Sequence, residues 1–144
     1  MTSTFTVDAS VFLNAFNPYE QEHAASQRLL AHLQAQAMPI IVPTLLLPEV
    51  AAAIGRGRDD PTLARAFTAT LNRLPHMVWV PLDETLAQQA ADMAAQHRLR
   101  GSDAVYAAVA LRFGSTLITL DRQQRERVAH VVTACCPAEV LTGM

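Results

Sequence analysis

Four short runs rich in β-branched and apolar residues recur along the chain, and each is followed by a helix-like stretch. Thr4–Val7, Ile40–Val42, Met77–Val80 and Thr116–Leu120 read as strands of this kind. Continuous β-branched strands alternating with helices imply a parallel sheet covered on both faces. The predicted fold is therefore α/β: a three-layer α/β/α sandwich around a central parallel sheet of four or five strands. At 144 residues the chain is one domain, residues 1–144, and its 51% hydrophobic content supports a sizeable core.

The helical segments are placed by spacing and by end signals. Val11–Phe16 is short and is closed by Asn17-Pro18; Glu20–Ala37 is longer and stops before Pro39. Thr44 is suited to cap a helix that carries Glu49 to about Ile54, with Pro48 in its first turn, where a missing N–H is tolerated. Residues 55–61 form the most polar and flexible stretch. Asp60 and Pro61 read as N-cap and first position of a helix to Leu74. Further helices are expected from Asp83 to His97, from Gly101 to Phe113 and from Arg122 to about Ala129. His130–Thr133 is expected as a last edge strand.

Four acids stand apart from the rest. Asp8 is the only charged side chain before Glu20, and Glu49 is the only formal charge between Arg28 and Arg56. Asp103 is alone between Arg100 and Arg112, and Asp121 is the first charge after Arg112. Carboxylates among apolar residues are costly to bury unless something compensates them. Asp8 and Asp121 each close a predicted strand, and ligands of parallel sheets bind outside the carboxyl ends of the strands. Glu49 and Asp103 lie near the starts of helices that could lean over the same edge. Each acid also has a duller explanation. Asp121 could cap its helix, with Gln124 completing a capping box. Asp103 suits a helix N-terminus by dipole alone, and Asp8 could cap the short helix after it. Glu49, among Leu, Val and Ala, has the weakest such explanation.

Together, Asp8, Glu49, Asp103 and Asp121 read as a metal site. Carboxylates without His or Cys select hard cations, Mg²⁺ or Mn²⁺. Such an ion activates water and neutralises a phosphate under in-line attack. Net charge is −2, so a nucleic-acid partner would be held by local groups. All 11 basic residues other than His are arginines. Arg suits bidentate phosphate contacts, although a compositional bias would give the same count. Arg56, Arg58, Arg98, Arg100 and Arg122 fall near the acids and are the candidate contacts to the phosphates of a polyanion; for Arg125 and Arg127 a solvated helix face is favoured.

Cys135 and Cys136 are adjacent, a poor disulfide pair and a poor metal clip, which suggests buried thiols in a reducing compartment, the cytoplasm. The N-terminus lacks the basic region of a signal peptide, and no apolar segment reaches membrane-spanning length.

The ordered set Thr-Val-Asp-Ala-Ser, Pro-Glu-Val, Gly-Ser-Asp-Ala-Val-Tyr-Ala-Ala and Leu-Ile-Thr-Leu-Asp-Arg resembles the PIN-domain ribonucleases. In length and order it looks most like the VapC-type toxins of bacterial toxin–antitoxin pairs. The resemblance covers nearly the whole chain. It implies a PIN-like sandwich, Mg²⁺-dependent RNA cleavage, homodimers and neutralisation by a small antitoxin. Carried over by motif, the four acids are the catalytic and metal-binding quartet, and Ser10 and Thr119 are hydroxyls supporting it. Some relatives carry a further acid after the last one; Arg122, Gln123 and Gln124 fill that place here.

Two other readings are open to the sequence. A phosphotransfer enzyme using a strand-end Asp generally needs a Lys near the phosphoryl group, and this chain has none. A PIN-like fold kept as a binding or dimerisation module would be favoured by a missing carboxylate, and all four are present.

Overall fold

The computed structural model describes residues 3–144. Five parallel strands form one sheet: β1 (Phe5–Val7), β2 (Ile40–Pro43), β3 (Met77–Val80), β4 (Thr116–Ile118) and β5 (Ala134–Cys135). Their order is β3-β2-β1-β4-β5. Helices flank the sheet, as the alternating pattern predicts. β1 lies at the centre and is buried throughout, which explains why its residues are apolar or, like Thr6, uncharged.

The connections run from β1 to β2 on one side and continue through β4 on the other. The strand order therefore switches between β1 and β4, where an open parallel sheet leaves a crevice at its carboxyl edge. Val7 is in register with Ile118, and the Asp8 N–H donates to the Ile118 carbonyl at 2.9 Å. The residues that follow the two strands are thus brought to the same edge.

Helix α1 (Ala9–Phe16) starts directly after β1, and α2 (His23–Ala35) follows it. Leu29 and Leu33 of α2 are fully buried; burial of one such side chain contributes roughly 1.5–3 kcal/mol. Glu20, Gln21 and Glu22, predicted as helix, form a turn instead. Asn14 reaches across to the Gln21 carbonyl at 2.8 Å, and Glu22 adopts a positive φ of 67° just before the helix.

Helix α3 runs from Leu46 to Arg58 and α4 from Pro61 to Asn72. Two expectations are corrected here. Thr44 does not cap α3; its hydroxyl accepts from the Leu82 N–H at 3.2 Å and ties β2 to the segment after β3. Arg56 and Arg58 are not in a flexible loop but in the last turn of α3, where Arg58 sits 5.6 Å from the Phe16 ring centroid. Cationic side chains are favoured there by the helix dipole, so Gly55 and Gly57 do not end the helix. The chain turns at Asp59 (φ 51°), and Asp60 caps α4 by accepting from the Leu63 N–H at 3.0 Å.

Helix α5 (Glu84–His97) is capped by Asp83, as predicted. It packs against α6 (Gly101–Phe113), whose residues from Ala104 to Ala110 are all buried. A helix enclosed on every side needs small residues for close approach, and Ala104, Ala107, Ala108 and Ala110 provide them. Helix α6 touches β1, β2 and β4 as well as α5, which fixes its N-terminus, and Asp103 with it, near the crevice.

After α7 (Arg122–Val128) the chain departs from expectation again. His130–Thr133 is a turn held by Val131 and Val132 N–H groups on the Val128 carbonyl; the edge strand is Ala134–Cys135, parallel to β4. A last helix, α8 (Pro137–Thr142), packs against α2. Neither cysteine is disulfide-bonded, and both are half-buried rather than buried. No helix among the described residues is long and apolar enough to cross a membrane.

Candidate active site

Asp8 is the N-cap of α1 and is only 7% exposed. Its Oδ2 accepts from the Ser10 N–H at 3.2 Å and from the Thr119 hydroxyl at 3.1 Å. Thr119, fully buried, also accepts from the Asp121 N–H at 3.1 Å, and the Ser10 hydroxyl accepts from the Leu120 N–H at 3.2 Å. The two hydroxyls lie 3.5 Å apart. Ser10 and Thr119 therefore join the carboxyl ends of β1 and β4 and hold Asp8 in one orientation.

Asp121 is the N-cap of α7, accepting through Oδ1 from the N–H groups of Gln123 (2.9 Å) and Gln124 (3.2 Å). The capping explanation is thus correct, but it accounts for only one carboxylate oxygen. The predicted capping box does not form, because the Gln124 amide donates to the Asp103 carbonyl at 3.1 Å. That bond ties α7 to α6 and holds Asp121 beside Asp103. Arg125 steadies the same corner by donating to the Thr119 carbonyl at 2.8 Å.

Glu49, in the first turn of α3, is half-buried and accepts from the Tyr106 hydroxyl at 2.7 Å. Tyr106 is fully buried on α6. Burial, then the charge of Glu49, holds its phenol far above the usual range, so it remains a donor. Sequence reasoning missed Tyr106, which in sequence is one more core aromatic, and gave Gln124 a capping-box role in place of its bond to Asp103.

The acids feel one another. Burial raises the Asp8 carboxyl above its ordinary range, and Asp103 adds to this against the lowering by Ser10 and Thr119. Burial raises Glu49 against the lowering by the Tyr106 hydrogen bond, and repulsion from Asp8 and Asp103 adds to the rise. Asp103 is raised by burial and by Asp121 despite the opposing effect of Arg100. The structure thus brings the four predicted acids into one electrostatic cluster at the crevice between β1 and β4.

The sequence of the PIN domain matches residues 5–130. The chain belongs to the PIN domain family. No curated protein sequence matches this PIN domain, but solved structures share its fold. One is VapC20 of Mycobacterium tuberculosis, a toxin that cleaves the sarcin–ricin loop, at 19% identity and a TM-score of 0.70, covering 85% of this chain and 94% of that one. PAE2754 from Pyrobaculum aerophilum is 19% identical with a TM-score of 0.69, over 99% and 97% of the two chains. A toxin–antitoxin complex from Klebsiella pneumoniae gives 15% and 0.65, over 93% and 98%. At these identities the likeness is one of fold, and it matches the predicted PIN-like sandwich.

The donor chemistry fits a hard divalent cation: four carboxylates, no imidazole or thiol, and mutual repulsion that a cation would relieve. Among the described residues, however, no three such groups are drawn into a closed ligand shell. Arg100 lies across the gap, its Nε 3.2 Å from Asp103 Oδ2 and its Nη2 3.3 Å from Asp121 Oδ2. It was expected to contact phosphate; here it serves as counter-ion to two acids of the cluster. Its side chain is 79% exposed, so the pairing is weak and easily exchanged. Arg100→Ala is expected to tighten Mn²⁺ binding several-fold in calorimetric titration. Unchanged affinity would mean that Arg100 and the ion do not compete for these oxygens.

The other arginines are spread unevenly. Arg122 is exposed and bound to Glu126 at 2.9 Å; Arg98 is exposed at the C-cap of α5. Arg56 lines an apolar groove between α1 and α3 that ends at Glu49.

Proposed function

We propose that this PIN domain is a Mg²⁺- or Mn²⁺-dependent endoribonuclease, the toxin of a toxin–antitoxin pair. The observation that carries the reading is the raised, mutually repelling set Asp8, Glu49 and Asp103, with Asp121 beside it, at the topological switch point of a PIN fold. Asp8, Glu49, Asp103 and Asp121 would hold the cation, which when bound lowers the pKa of water and neutralises phosphate charge.

The protein's own part is to orient these acids and to place the RNA. Ser10 and Thr119 engage Oδ2 of Asp8, which leaves Oδ1 for a cation. Tyr106 does the same for Oε1 of Glu49. Gln123 and Gln124 hold Oδ1 of Asp121, leaving Oδ2 for exchange between Arg100 and a cation. Arg100, released from the acids, is then free to donate to a phosphate oxygen of the substrate.

The remaining assignments rest on family likeness. A small antitoxin would cover the cleft, the toxin would form homodimers, and the pair would act in the cytoplasm. The Arg100 pairing and the open ligand shell favour one alternative, a catalytically weak PIN module that works mainly by protein binding or dimerisation. RNA cleavage separates the two. The wild type is expected to cut single-stranded RNA with Mn²⁺, to stop in excess chelator, and to be inactive as Asp103→Asn. Equal activity of wild type and Asp103→Asn, or cleavage undiminished in chelator, would overturn the nuclease reading. Folded wild-type protein inert at every Mn²⁺ concentration would favour the binding module.

A further inference from the structure

A second concave site lies beside the acids, between the C-terminus of α5 and the outer face of α7. The cavity measures about 450 Å³ and is lined by His97, Arg98, Gln123, Glu126, Arg127 and His130. Its lining is wholly polar, in contrast to the groove between α1 and α3 beside Glu49, which is lined mainly by Ala9, Leu13, Leu45, Pro48, Ala52 and Ala53. Among the described residues neither Arg98 nor Arg127 has a carboxylate partner, and the one acid of the lining, Glu126, is taken by Arg122 at 2.9 Å. In a chain of net charge −2 this is a local excess of positive charge.

The site is built rather than incidental. Arg98 is the C-cap of α5 and takes the left-handed conformation (φ 56°) common at such helix ends. The half-buried Arg127 reaches its carbonyl at 2.5 Å and holds that turn. Arg127 thus fixes the backbone that carries Arg98, and the rest of the Arg127 fork is left for a ligand. The wall is continuous with the acid cluster: the Gln123 N–H donates to Asp121 at 2.9 Å, and Arg98 is two residues from Arg100. Guanidinium forks match phosphate oxygens bidentately, and imidazoles and amides supply hydrogen bonds to sugar or base edges.

From this we infer that the pocket is a phosphate-binding subsite for the RNA strand. The strand passes from the acids over the α5–α7 corner and not over α3. The inference rests on the nuclease reading above and gives the substrate its path. It also assigns Arg127, His97 and His130 to RNA contact and withdraws Arg56, which borders the apolar groove, and Arg58, which lies over the Phe16 ring.

The test is fluorescence anisotropy of a labelled single-stranded RNA oligonucleotide on the full chain, with Ca²⁺ in place of Mg²⁺, over a salt series. For single strands the slope of log K against log salt is about −0.7 for each phosphate neutralised. Arg98→Gln and Arg127→Gln are each expected to flatten the slope by about 0.7 and to weaken binding several-fold, whereas Arg56→Gln leaves it unchanged. Thermal melts identify any loss of fold in Arg127→Gln, and Arg98→Gln, at an exposed position, carries the test in that case. An unchanged slope in Arg98→Gln, or a flattened one in Arg56→Gln, overturns the path while leaving the nuclease intact. Failure of folded wild type to bind RNA at low salt would overturn the nuclease reading, and the subsite with it.

Discussion

Asp8→Asn is expected to melt at a higher temperature than the wild type in chelator, and to lose RNA cleavage by roughly a hundredfold or more. The first effect follows from burial and charge. Asp8 is raised by desolvation and by Asp103, so its charged form destabilises the metal-free fold. Asparagine keeps the acceptor for Ser10 and Thr119 and turns its NH₂ toward the neighbouring carboxylates, which accept. Each kcal/mol relieved moves Tm by roughly 2–8 °C in a chain of this size. The second effect follows from lost metal affinity, since removing even an outer partner of a metal ligand costs roughly ten- to a hundredfold.

The same charges set the pH dependence in chelator. The folded pKa values of Asp8, Glu49 and Asp103 lie above the ordinary 3.8 for Asp and 4.5 for Glu. Protons therefore bind the folded cluster more tightly than the unfolded chain. The stability this gives is present below the ordinary values and is lost as pH rises through the raised ones. Melts from pH 4 upward should show the loss for the wild type and a smaller loss for Asp8→Asn. Mn²⁺ should restore wild-type stability by about 3 kcal/mol at a hundredfold excess over its dissociation constant. Parallel curves for the two proteins, with and without Mn²⁺, would remove Asp8 from the cluster.

Thr119→Val should destabilise the fold by about 2 kcal/mol at neutral pH. The substitution conserves shape but removes a fully buried hydroxyl that donates to Asp8 and accepts from the Asp121 N–H, both at 3.1 Å. Leaving a buried donor or acceptor without a partner costs about 1–3 kcal/mol. The lost donor also raises Asp8 further, so the deficit should shrink at low pH, where Asp8 is neutral. Thr119→Ser should recover most of the stability, and Thr119→Val should cost less in an Asp8→Asn background because the two residues touch. Denaturant titrations of the four proteins measure this. Equal costs in both backgrounds would mean that the hydroxyl does not act on Asp8.

How far the site is legible in sequence depends on which property places each residue. Asp8 and Asp121 end strands whose apolar character reflects burial in a parallel sheet, and strand pairing brings such ends together. Asp103 is legible because the Ala-rich helix behind it has no other place than the core. Arg100 bridging two of the acids depends on side-chain reach across the crevice, which strand and helix spacing do not encode. Tyr106 and Gln124 act through contacts spanning 57 and 21 residues, so no local signal marks them. The end of the fold is the least legible. His130–Thr133 is richer in β-branched residues than the true edge strand, but Val132 turns back onto Val128, and only pairing with β4 selects Ala134–Cys135. The six-residue α8 is too short for periodicity to reveal it. In α3, favourable Arg residues in the last turn outweighed two glycines, which moved Arg56 and Arg58 from loop to helix.

The convergence of the four acids is tested most directly by titrating Mn²⁺ calorimetrically into the wild type and into Asp8→Asn, Glu49→Gln, Asp103→Asn and Asp121→Asn, each verified as folded. Specific binding by the wild type and weakening by roughly tenfold or more in every variant is the expected result. Full affinity in any one of the four would take that residue out of the centre, and no specific binding by the folded wild type would contradict a metal centre at this edge of the sheet altogether.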